Sequence, residues 1–498
     1  MARSNTTKRK APRKAKLAKA VLRTGVAAAA AARPDMQAAL ARRQRVDFRD
    51  PVMRHAAMRA KGIGLCAFLV SLAAFQRGLG VTFHYERASS DPHFSEARMQ
   101  GGRGEIFSIS DGVRSHTFSR TMGDRISGTA NAVADDKHLT KSVLNRAGVR
   151  TPEGIVVERG QTVLIERFLA LHPEKHFVVK PETGSLGEGV EADIPAGSVM
   201  AAAARHETGR VIVEEYIHGR EVRATVVGGQ CVAVSLRLPP TILGNGRETV
   251  AQLITELNAS ARSDPYWDGL TDEDMIRPYL SLQGYNLDGV VPAGTTVRLS
   301  NTSYGVQHED VTDRIGPRVK AIAVKAAQAI GLSLCGLDVI VTPDGEPVVL
   351  EVNQRSYIGM HSFPCSGPGQ GNVVAEAIID DYFPDTISNR THPGLVFDFG
   401  AVRTAMQSMQ IGTVSLPVIG ADWRVMRFVE KGITARTLVK IYEAAARVAG
   451  VYLVSAPRVE GGFDLCLTYA PTNLRRMLQV LPPQFRKSLA TRAQEIGM

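Results

Sequence analysis

Residues 178–190 read VVKPETGSLGEGV. In this stretch a run of apolar, β-branched residues ends at Lys180 and is followed at once by a loop of small residues. A buried ammonium group without a partner is costly, so the position of Lys180 needs an explanation. Either the lysine extends from an edge strand into water, or it binds a phosphate that backbone N–H groups of the loop also contact. The stretch alone leaves both explanations open.

The bulk composition indicates a folded protein with a basic arm. A chain of 498 residues predicts roughly three domains, and 44% hydrophobic with 22% charged residues is typical of globular proteins. The net charge of +11 is concentrated in residues 1–34, which hold ten Lys and Arg and no Asp or Glu, so the remainder carries about +1 (11 − 10). We expect residues 1–50 to be a disordered, solubilising arm. Nucleic-acid contact and an organelle transit peptide are the alternatives.

The apolar segments and the cysteines predict a cytoplasmic protein without a membrane span. The most apolar segment, residues 62–75, is too short to cross a bilayer and is flanked by Lys61 and Arg77. We expect it to be a buried helix. The five cysteines are odd in number, widely spaced and form no C-x-x-C motif, which argues against a zinc site or a disulfide framework and for a reducing compartment.

The hydrophobic periodicity predicts an α/β (α+β) chain of several units. After the arm we expect an N-terminal α/β unit at 51–130, a larger unit at 131–385, a linker at 386–394 and a small α+β unit at 395–498. In the last unit a β-α-β-β-α order is consistent with a ferredoxin-like sandwich. Its first helix carries one apolar face, formed by Leu438, Ile441, Ala445 and Val448.

Strand and helix signals alternate through the larger unit. Strand patterns at 210–217, 221–229 and 230–238 are separated by short turns and predict antiparallel hairpins. An amphipathic helix at 317–331 leads into two strands around the turn PDG at 343–345.

These last two strands, GLDVIV and VVLEVN, carry three polar side chains among apolar residues. Asp338 lies on the first strand, and Glu351 and Asn353 lie on one face of the second because side chains alternate along a strand. Oxygen ligands of this kind suit Mg²⁺ that is shared with nucleotide phosphates. An exposed position at the protein surface would explain each of these polar residues singly, but it does not explain the three together.

An acidic and aromatic pattern in VIVEEYIHGREVR suits a purine pocket. Backbone groups near Glu215 and Ile217 could bind the adenine edge, while Glu221 binds ribose hydroxyls. An exposed hairpin of alternating charge is the simpler explanation of this stretch taken by itself.

Residues 130–385 resemble the ATP-grasp superfamily of carboxylate–amine ligases, and within it the branch containing cyanophycin synthetase and bifunctional glutathione synthetase. The resemblance rests on several stretches in the same order, namely DDKHLTKSVLNRAGVRTPEG, VVKPETGSLGEGV, VIVEEYIHGREVR, LPPTILGNGRETVAQLI, LQGYNLDGVVPAGTTVRLSNTS, DVTDRI and GLDVIV…VVLEVN…MHSFP. It covers half of the chain and implies an ATP-grasp fold.

The resemblance also implies ATP and Mg²⁺ as cofactors, with Mn²⁺ as an alternative ion. It assigns the nucleotide contacts to Lys137, Lys180, Ser185, Gly187, Glu214, Glu215, Ile217 and Glu221, with Ser185 and Gly187 in the loop over the β- and γ-phosphates. It assigns the metal ligands to Asp338, Glu351 and Asn353. For catalysis at the substrate end we select Arg223 and Arg298 as oxyanion or carboxylate contacts, and His361 as a lining residue.

The activity implied is ATP-dependent formation of an amide. A carboxylate attacks the γ-phosphoryl group of ATP, and an amine then attacks the acyl phosphate, releasing ADP and phosphate. The expected partners are a small carboxylate, such as an amino acid or peptide, and an amine acceptor. We expect no membrane partner and no nucleic acid, and a homo-oligomer would be ordinary for the family.

Two departures from the branch lie at the substrate end. The chain has SNTSYGVQHE where the branch has a basic residue and N-L-S-x-G-G, and it has QRSYIG where a small-Pro-Gly turn is expected. These changes predict different substrate recognition, and an ATP-binding pseudoenzyme with a recognition or regulatory role is the alternative function. The C-terminal unit loosely resembles acylphosphatase near Arg436, but the expected asparagine is not evident in LVSAPR, so we do not expect a hydrolase.

Overall fold

The computed structural model describes residues 46–86, 104–158, 160–182, 189–206, 209–300, 305–387, 394–407, 411–418, 423–446, 451–455, 458–459, 461–470, 479 and 494–496. Most of the predicted basic arm at 1–50 therefore lies outside the described residues, as does the loop 183–188. The fold is mixed α/β with antiparallel sheets, as the sequence predicts.

The N-terminal unit packs two helices against a five-stranded sheet. Helix α1 spans Pro51–Arg59 and begins at Asp50, whose carboxylate accepts hydrogen bonds from the N–H groups of Val52 and Met53. Helix α2, Leu65–Gln76, is buried along its whole length, which confirms the predicted buried helix. Strands β1 to β4 are Gly80–Glu86, Ile106–Ser110, Ser115–Ser119 and Met122–Gly123.

A strand from far along the chain completes this sheet. After helix α12, Phe399–Gln407, strand β16 (Ile411–Ser415) pairs antiparallel with β1. Phe397 and Phe399 lie in the N-terminal core, with ring centroids 5.5 and 5.9 Å from the ring of Phe68. Residues 397–399 and 411–415 thus contact the N-terminal unit, whereas the sequence prediction placed them in the C-terminal unit at 395–498.

The central region contains two sheets that face one another. The smaller sheet has the order β5-β8-β6-β7, and the larger one has the order β13-β10-β9-β14-β15. The strands of the smaller sheet are β5 Gly154–Glu158, β6 His176–Pro181, β7 Glu191–Pro195 and β8 Arg210–Glu215. Those of the larger are β9 Arg220–Val227, β10 Gln230–Leu238, β13 Gln307–Asp310, β14 Leu334–Val341 and β15 Pro347–Asn353.

Helices cover the outer faces of these sheets. They are α5 Thr162–Ala170 and α6 Ala196–Ala204 on the smaller sheet and α9 Pro317–Ile330 on the larger one. Helices α3 Gly128–Ala134 and α4 Lys137–Arg146 pack beside α9. The single turn α10 Gly359–Ser362 and helix α11 Val373–Tyr382 pack on the opposite face of the larger sheet, next to α2. A short 3₁₀ turn, Pro384–Thr386, follows α11. A two-stranded ribbon, β11 Thr241–Leu243 with β12 Thr296–Arg298, packs with α7 Val250–Ala261 and α8 Arg277–Leu282.

One predicted hairpin is wrong. Strands β9 and β10 form the expected antiparallel hairpin, but β8 and β9 belong to different sheets. The chain crosses between the sheets at 216–219, where a Cβ on Gly219 would stand 2.4 Å from the carbonyl oxygen of Val341. The turn HGR is therefore a crossover that needs a glycine at its tightest point.

The C-terminal unit has the sheet order β18-β20-β17-β21, with all neighbouring strands antiparallel. Its elements are β17 Arg424–Lys431, α13 Ala435–Ala446, β18 Val451–Ser455, β19 Arg458–Val459, β20 Gly462–Tyr469 and β21 Gln494–Ile496. Leu438 and Ile441 of α13 are buried. Most of the predicted second helix lies outside the described residues, so the ferredoxin-like assignment stays a prediction. No helix within the described ranges is long and apolar enough to cross a membrane.

Candidate active site

A cleft of about 570 Å³ lies between the two central sheets. Side chains alternate along a strand, so one face of each sheet supplies the walls. The smaller sheet contributes Lys180 and Glu214 among apolar residues, and the larger contributes Asp338 and Glu351. Such a volume suits a small-molecule ligand.

A buried ion cluster forms the wall on the smaller sheet. The Glu214 carboxylate lies between two ammonium groups, with Lys180 Nζ on Oε1 and Lys141 Nζ on Oε2. Only 4% of the Glu214 side chain is exposed. Burial acts to raise the pKa of Glu214, but the two lysines outweigh it and the pKa lies below its ordinary value. Burial also lowers the pKa of Lys141.

Helix α4 brings a third lysine to the same wall. Asp136 caps this helix by accepting a hydrogen bond from the N–H of Leu139 at 3.0 Å. Lys137 and Lys141 lie four residues apart on it, so they share one helix face, and both line the cleft. Lys137 was predicted from the sequence and Lys141 was not, although their four-residue spacing is present in DDKHLTK.

The edge of the smaller sheet and the start of β9 form the middle of the cleft. Glu215 and Ile217 line it, but the Glu215 carboxylate bonds to Lys175 Nζ at 2.6 Å and to the N–H of Glu153 at 3.1 Å. The backbone N–H groups of Glu215 and Tyr216 are engaged as well, because they donate to the carbonyl oxygens of Glu153 and His176 at 2.8 Å. Glu221 also lines the cleft and pairs with Arg237 at 2.8 Å.

The opposite wall carries the predicted metal ligands. Asp338 and Glu351 are register partners on β14 and β15, and the Asn353 amide nitrogen lies 3.4 Å from Asp338 Oδ2. The register shifts after Asp338, and Leu350 and Glu351 both line the cleft although they are consecutive. A β-bulge reorients side chains in this way. Asp338 is also held by Arg223, with Nε 2.7 Å from Oδ1.

These residues fit a hard cation that is shared with phosphates. Within the described ranges no group of three or more His, Cys, Asp or Glu side chains is arranged for a metal. The predicted set has two carboxylates and one amide, which is a set of oxygen donors suited to Mg²⁺ when phosphate and water supply the remaining ligands. The Arg223 guanidinium shares Asp338, so the carboxylate would divide its oxygens between the two cations.

Residues 134–357 match the ATP-grasp domain family. Cyanophycin synthetase from Nostoc sp. is 34% identical over 301 residues, which cover 57% of this chain and 33% of that protein. The glutathione biosynthesis bifunctional protein GshAB from Streptococcus mutans is 31% identical over 280 residues, which cover 50% of this chain and 35% of that protein. The chain spans about a third of the length of these curated relatives.

Among solved structures, a bifunctional glutathione synthetase from Pasteurella multocida superposes with a TM-score of 0.43 at 24% identity. The match covers 56% of this chain and 40% of that one.

The three residues selected for catalysis lie in different surroundings. Arg223 lines the cleft. Arg298 is exposed on β12, does not line the cleft, and donates from Nε to the carbonyl oxygen of Ser300 at 2.8 Å.

The expectation that His361 lines the substrate end is not supported. His361 is completely buried, and its ring nitrogens lie 2.7 Å from Ser235 Oγ and 2.8 Å from Thr225 Oγ1. Burial lowers the pKa of His361 to about 3. It is a neutral, hydrogen-bonded residue of the packed interior. The predicted loop contacts Ser185 and Gly187 lie outside the described residues.

Proposed function

We propose that this protein is an ATP-dependent carboxylate–amine ligase that forms an amide through an acyl phosphate. One observation carries the proposal: a single cleft of the ATP-grasp domain has three lysines on one wall and the oxygen set Asp338, Glu351 and Asn353 on the other. Two relatives are named cyanophycin synthetase and glutathione biosynthesis protein, which supports a ligase. A carboxylate substrate and an amine acceptor belong to the same proposal.

The lysine wall would hold the phosphate chain of ATP. Phosphate oxygens compete well for ammonium groups because charge-assisted hydrogen bonds are strong. Lys180 and Lys141 are already ordered by Glu214, so binding requires little further ordering of their side chains. The apolar residues Ile212, Val178 and Ile340 line the cleft nearby and would flank the adenine ring.

The middle of the cleft would bind the nucleoside. The Glu215 carboxylate is held by Lys175, and the N–H groups of Glu215 and Tyr216 donate to the carbonyl oxygens of Glu153 and His176, so the backbone of Ile217 would bind the adenine edge. Glu221 would accept from the ribose hydroxyls, with Arg237 fixing its carboxylate.

Asp338, Glu351 and Asn353 would hold Mg²⁺. The ion neutralises charge on the β- and γ-phosphates when it is bound. The role of this chain is to keep both carboxylates on the cleft side of the sheet, which the bulge after Asp338 accomplishes for Glu351.

Two steps would then form the amide. The substrate carboxylate attacks the γ-phosphorus and displaces ADP, and the amine nitrogen attacks the acyl carbon and expels phosphate. Lysines 137, 141 and 180 stabilise charge on the transferring phosphoryl group. Enclosure between two sheets limits the access of water, which would otherwise hydrolyse the acyl phosphate.

The test is nucleotide turnover by the full chain with Mg·ATP and a pool of amino acids and dipeptides. We expect ADP and phosphate that depend on the pool, a new amide, and a hydroxamate when hydroxylamine replaces the amine. Lys180→Met and Glu351→Gln should abolish turnover, and Lys325→Met, on the outer helix α9, should retain it. AMP and pyrophosphate would contradict the acyl-phosphate route, and ATP binding without turnover would favour the pseudoenzyme.

A further inference from the structure

His308 is a buried titratable residue that the proposed chemistry leaves unexplained. It lies on β13 and is 4% exposed. Neither of its ring nitrogens has a hydrogen-bond partner among the described residues. Nearly all buried polar side chains in folded proteins are hydrogen-bonded, so this exception requires a reason.

The position of His308 relates it to the cleft. It is the register partner of Arg237 on β10, and Arg237 lines the cleft. Paired residues of antiparallel strands project from the same face of the sheet. His308 therefore lies on the cleft-facing side of the larger sheet, one strand beyond Arg237.

An aromatic ring covers the imidazole. The centroid of the Tyr266 ring lies 5.5 Å from that of His308, and the two planes meet at 76°. Tyr266 can take this place because residue 359 is glycine: a Cβ there would stand 2.8 Å from Tyr266 Cδ2. The stretches that carry His308 and Gly359, SNTSYGVQHE and QRSYIG, are the two that depart from the ligase branch.

The surroundings determine which ligand suits this position. Burial, followed by Arg237, His361 and Arg223, lowers the pKa of His308 well below its ordinary value, so the imidazole is neutral. A neutral imidazole has one N–H donor and one acceptor nitrogen. The nearby guanidinium groups of Arg237 and Arg223 also pair with Glu221 and Asp338. Beside two guanidinium groups, a group that accepts hydrogen bonds and carries negative charge is still favoured over an ammonium group. A carboxylate meets both conditions.

We propose that His308 is a substrate-contacting residue that, together with Arg237, binds a carboxylate of the organic acid beneath Tyr266. The inference rests on the proposed ligase function and adds a specificity residue to it. The imidazole N–H donates to a carboxylate oxygen, Arg237 supplies the charge, and the Tyr266 ring excludes water once the acid is bound.

Two substitutions distinguish a role of His308 in substrate binding from a role in packing. His308→Phe keeps an aromatic ring against Tyr266 and removes both nitrogens. His308→Gln keeps a donor and an acceptor on a side chain of similar length. With the acid that supports turnover, we expect His308→Phe to raise KM for that acid about tenfold to hundredfold, and His308→Gln to recover part of the loss. The Kd of Mg·ATP should stay unchanged in both, because His308 is not among the residues that line the cleft in which the nucleotide is proposed to bind.

An unchanged KM in His308→Phe would overturn the proposal while the ligase function stands, and it would mean that His308 only packs or binds a buried water. If the wild-type chain turns over no acid, the ligase function fails and a binding measurement decides on His308. Ring ¹⁵N signals of histidine-labelled protein, assigned by their loss in His308→Phe, are followed with Mg·ADP and the pooled amino acids. A shift of the His308 signals supports carboxylate contact, and no shift rejects it.

Discussion

Glu214 neutralises two lysines at once, so its removal affects both stability and ligand binding. Glu214→Gln would leave Lys141 and Lys180 facing one another without a counter-charge. Because removal of one partner of a buried ion pair is strongly destabilising, we expect a loss of about 3 kcal/mol. Thermal unfolding at pH 7 measures this loss of stability. Glu166→Gln, at an exposed position on α5, is the control.

The comparison of wild type with Glu214→Gln also gives a prediction about the pH dependence of stability. The pKa of Glu214 is lowered in the folded chain from an ordinary value of 4.5. Its contribution to stability is therefore complete above about pH 4.5 and is lost as pH falls through the folded pKa. The difference in Tm between wild type and Glu214→Gln should be constant from about pH 7 to 5 and should narrow below about pH 4. A difference that widens in acid would contradict the assignment.

Lys141 is the site residue that sequence reasoning missed, and its role can be measured directly. Lys141→Met leaves Glu214 paired with Lys180, so the chain should fold. If Lys141 contacts phosphate, the Kd of Mg·ATP should rise about tenfold or more. Lys325→Met is the matched control. An unchanged Kd would make Lys141 a structural partner of Glu214 only.

At the level of single residues, the sequence was informative where charge interrupts an apolar strand. Lys180, Asp338 and Glu351 were identified for that reason, and all three line the cleft. The burial of His361 and His308 was not predicted, because burial and hydrogen bonding depend on which elements pack together. The residues that neighbour each histidine in the sequence do not determine whether it is buried or hydrogen-bonded.

At the level of elements, the approach of β5 to β8 sets the position of Glu214. Gly154 pairs with Glu214, and a Cβ on Gly154 would stand 2.7 Å from both Glu214 Cβ and the Val213 carbonyl oxygen. Gly154→Ala should therefore cost about 1–3 kcal/mol and weaken Mg·ATP binding. Gly197→Ala on α6 meets no atom within 4 Å and should be neutral or slightly stabilising. Equal Tm values for the two variants would show that strands β5 and β8 can move apart without cost.

Helices were predicted well because their signals are local. Helix α4 has its cap at Asp136 and its apolar face of Leu139, Val143 and Leu144. Sheet partners were harder: the pairing of β16 with β1 joins residues more than 300 positions apart, and the crossover after β8 looks like a hairpin turn in the sequence. The sequence of neither strand indicates which distant strand it pairs with.

At the level of the whole molecule, the return of residues 394–415 to the N-terminal sheet makes a prediction about shortened chains. A chain ending at residue 394 would lose β16 and the aromatic cluster around Phe397 and Phe399. A chain ending at 418 would keep both. We expect the shorter chain to show a markedly lower Tm and faster limited proteolysis. Equal behaviour would show that the N-terminal sheet is stable without its fifth strand.

The central claim is that the carboxylate of an organic acid is activated by phosphoryl transfer. The most direct test is to supply Mg·ATP with pooled amino acids whose carboxylates carry ¹⁸O, and to analyse the phosphorus products by mass. We expect ADP, and inorganic phosphate that has acquired one ¹⁸O from the acid. Label in AMP with release of pyrophosphate, or unlabelled phosphate alongside a new amide, would contradict it.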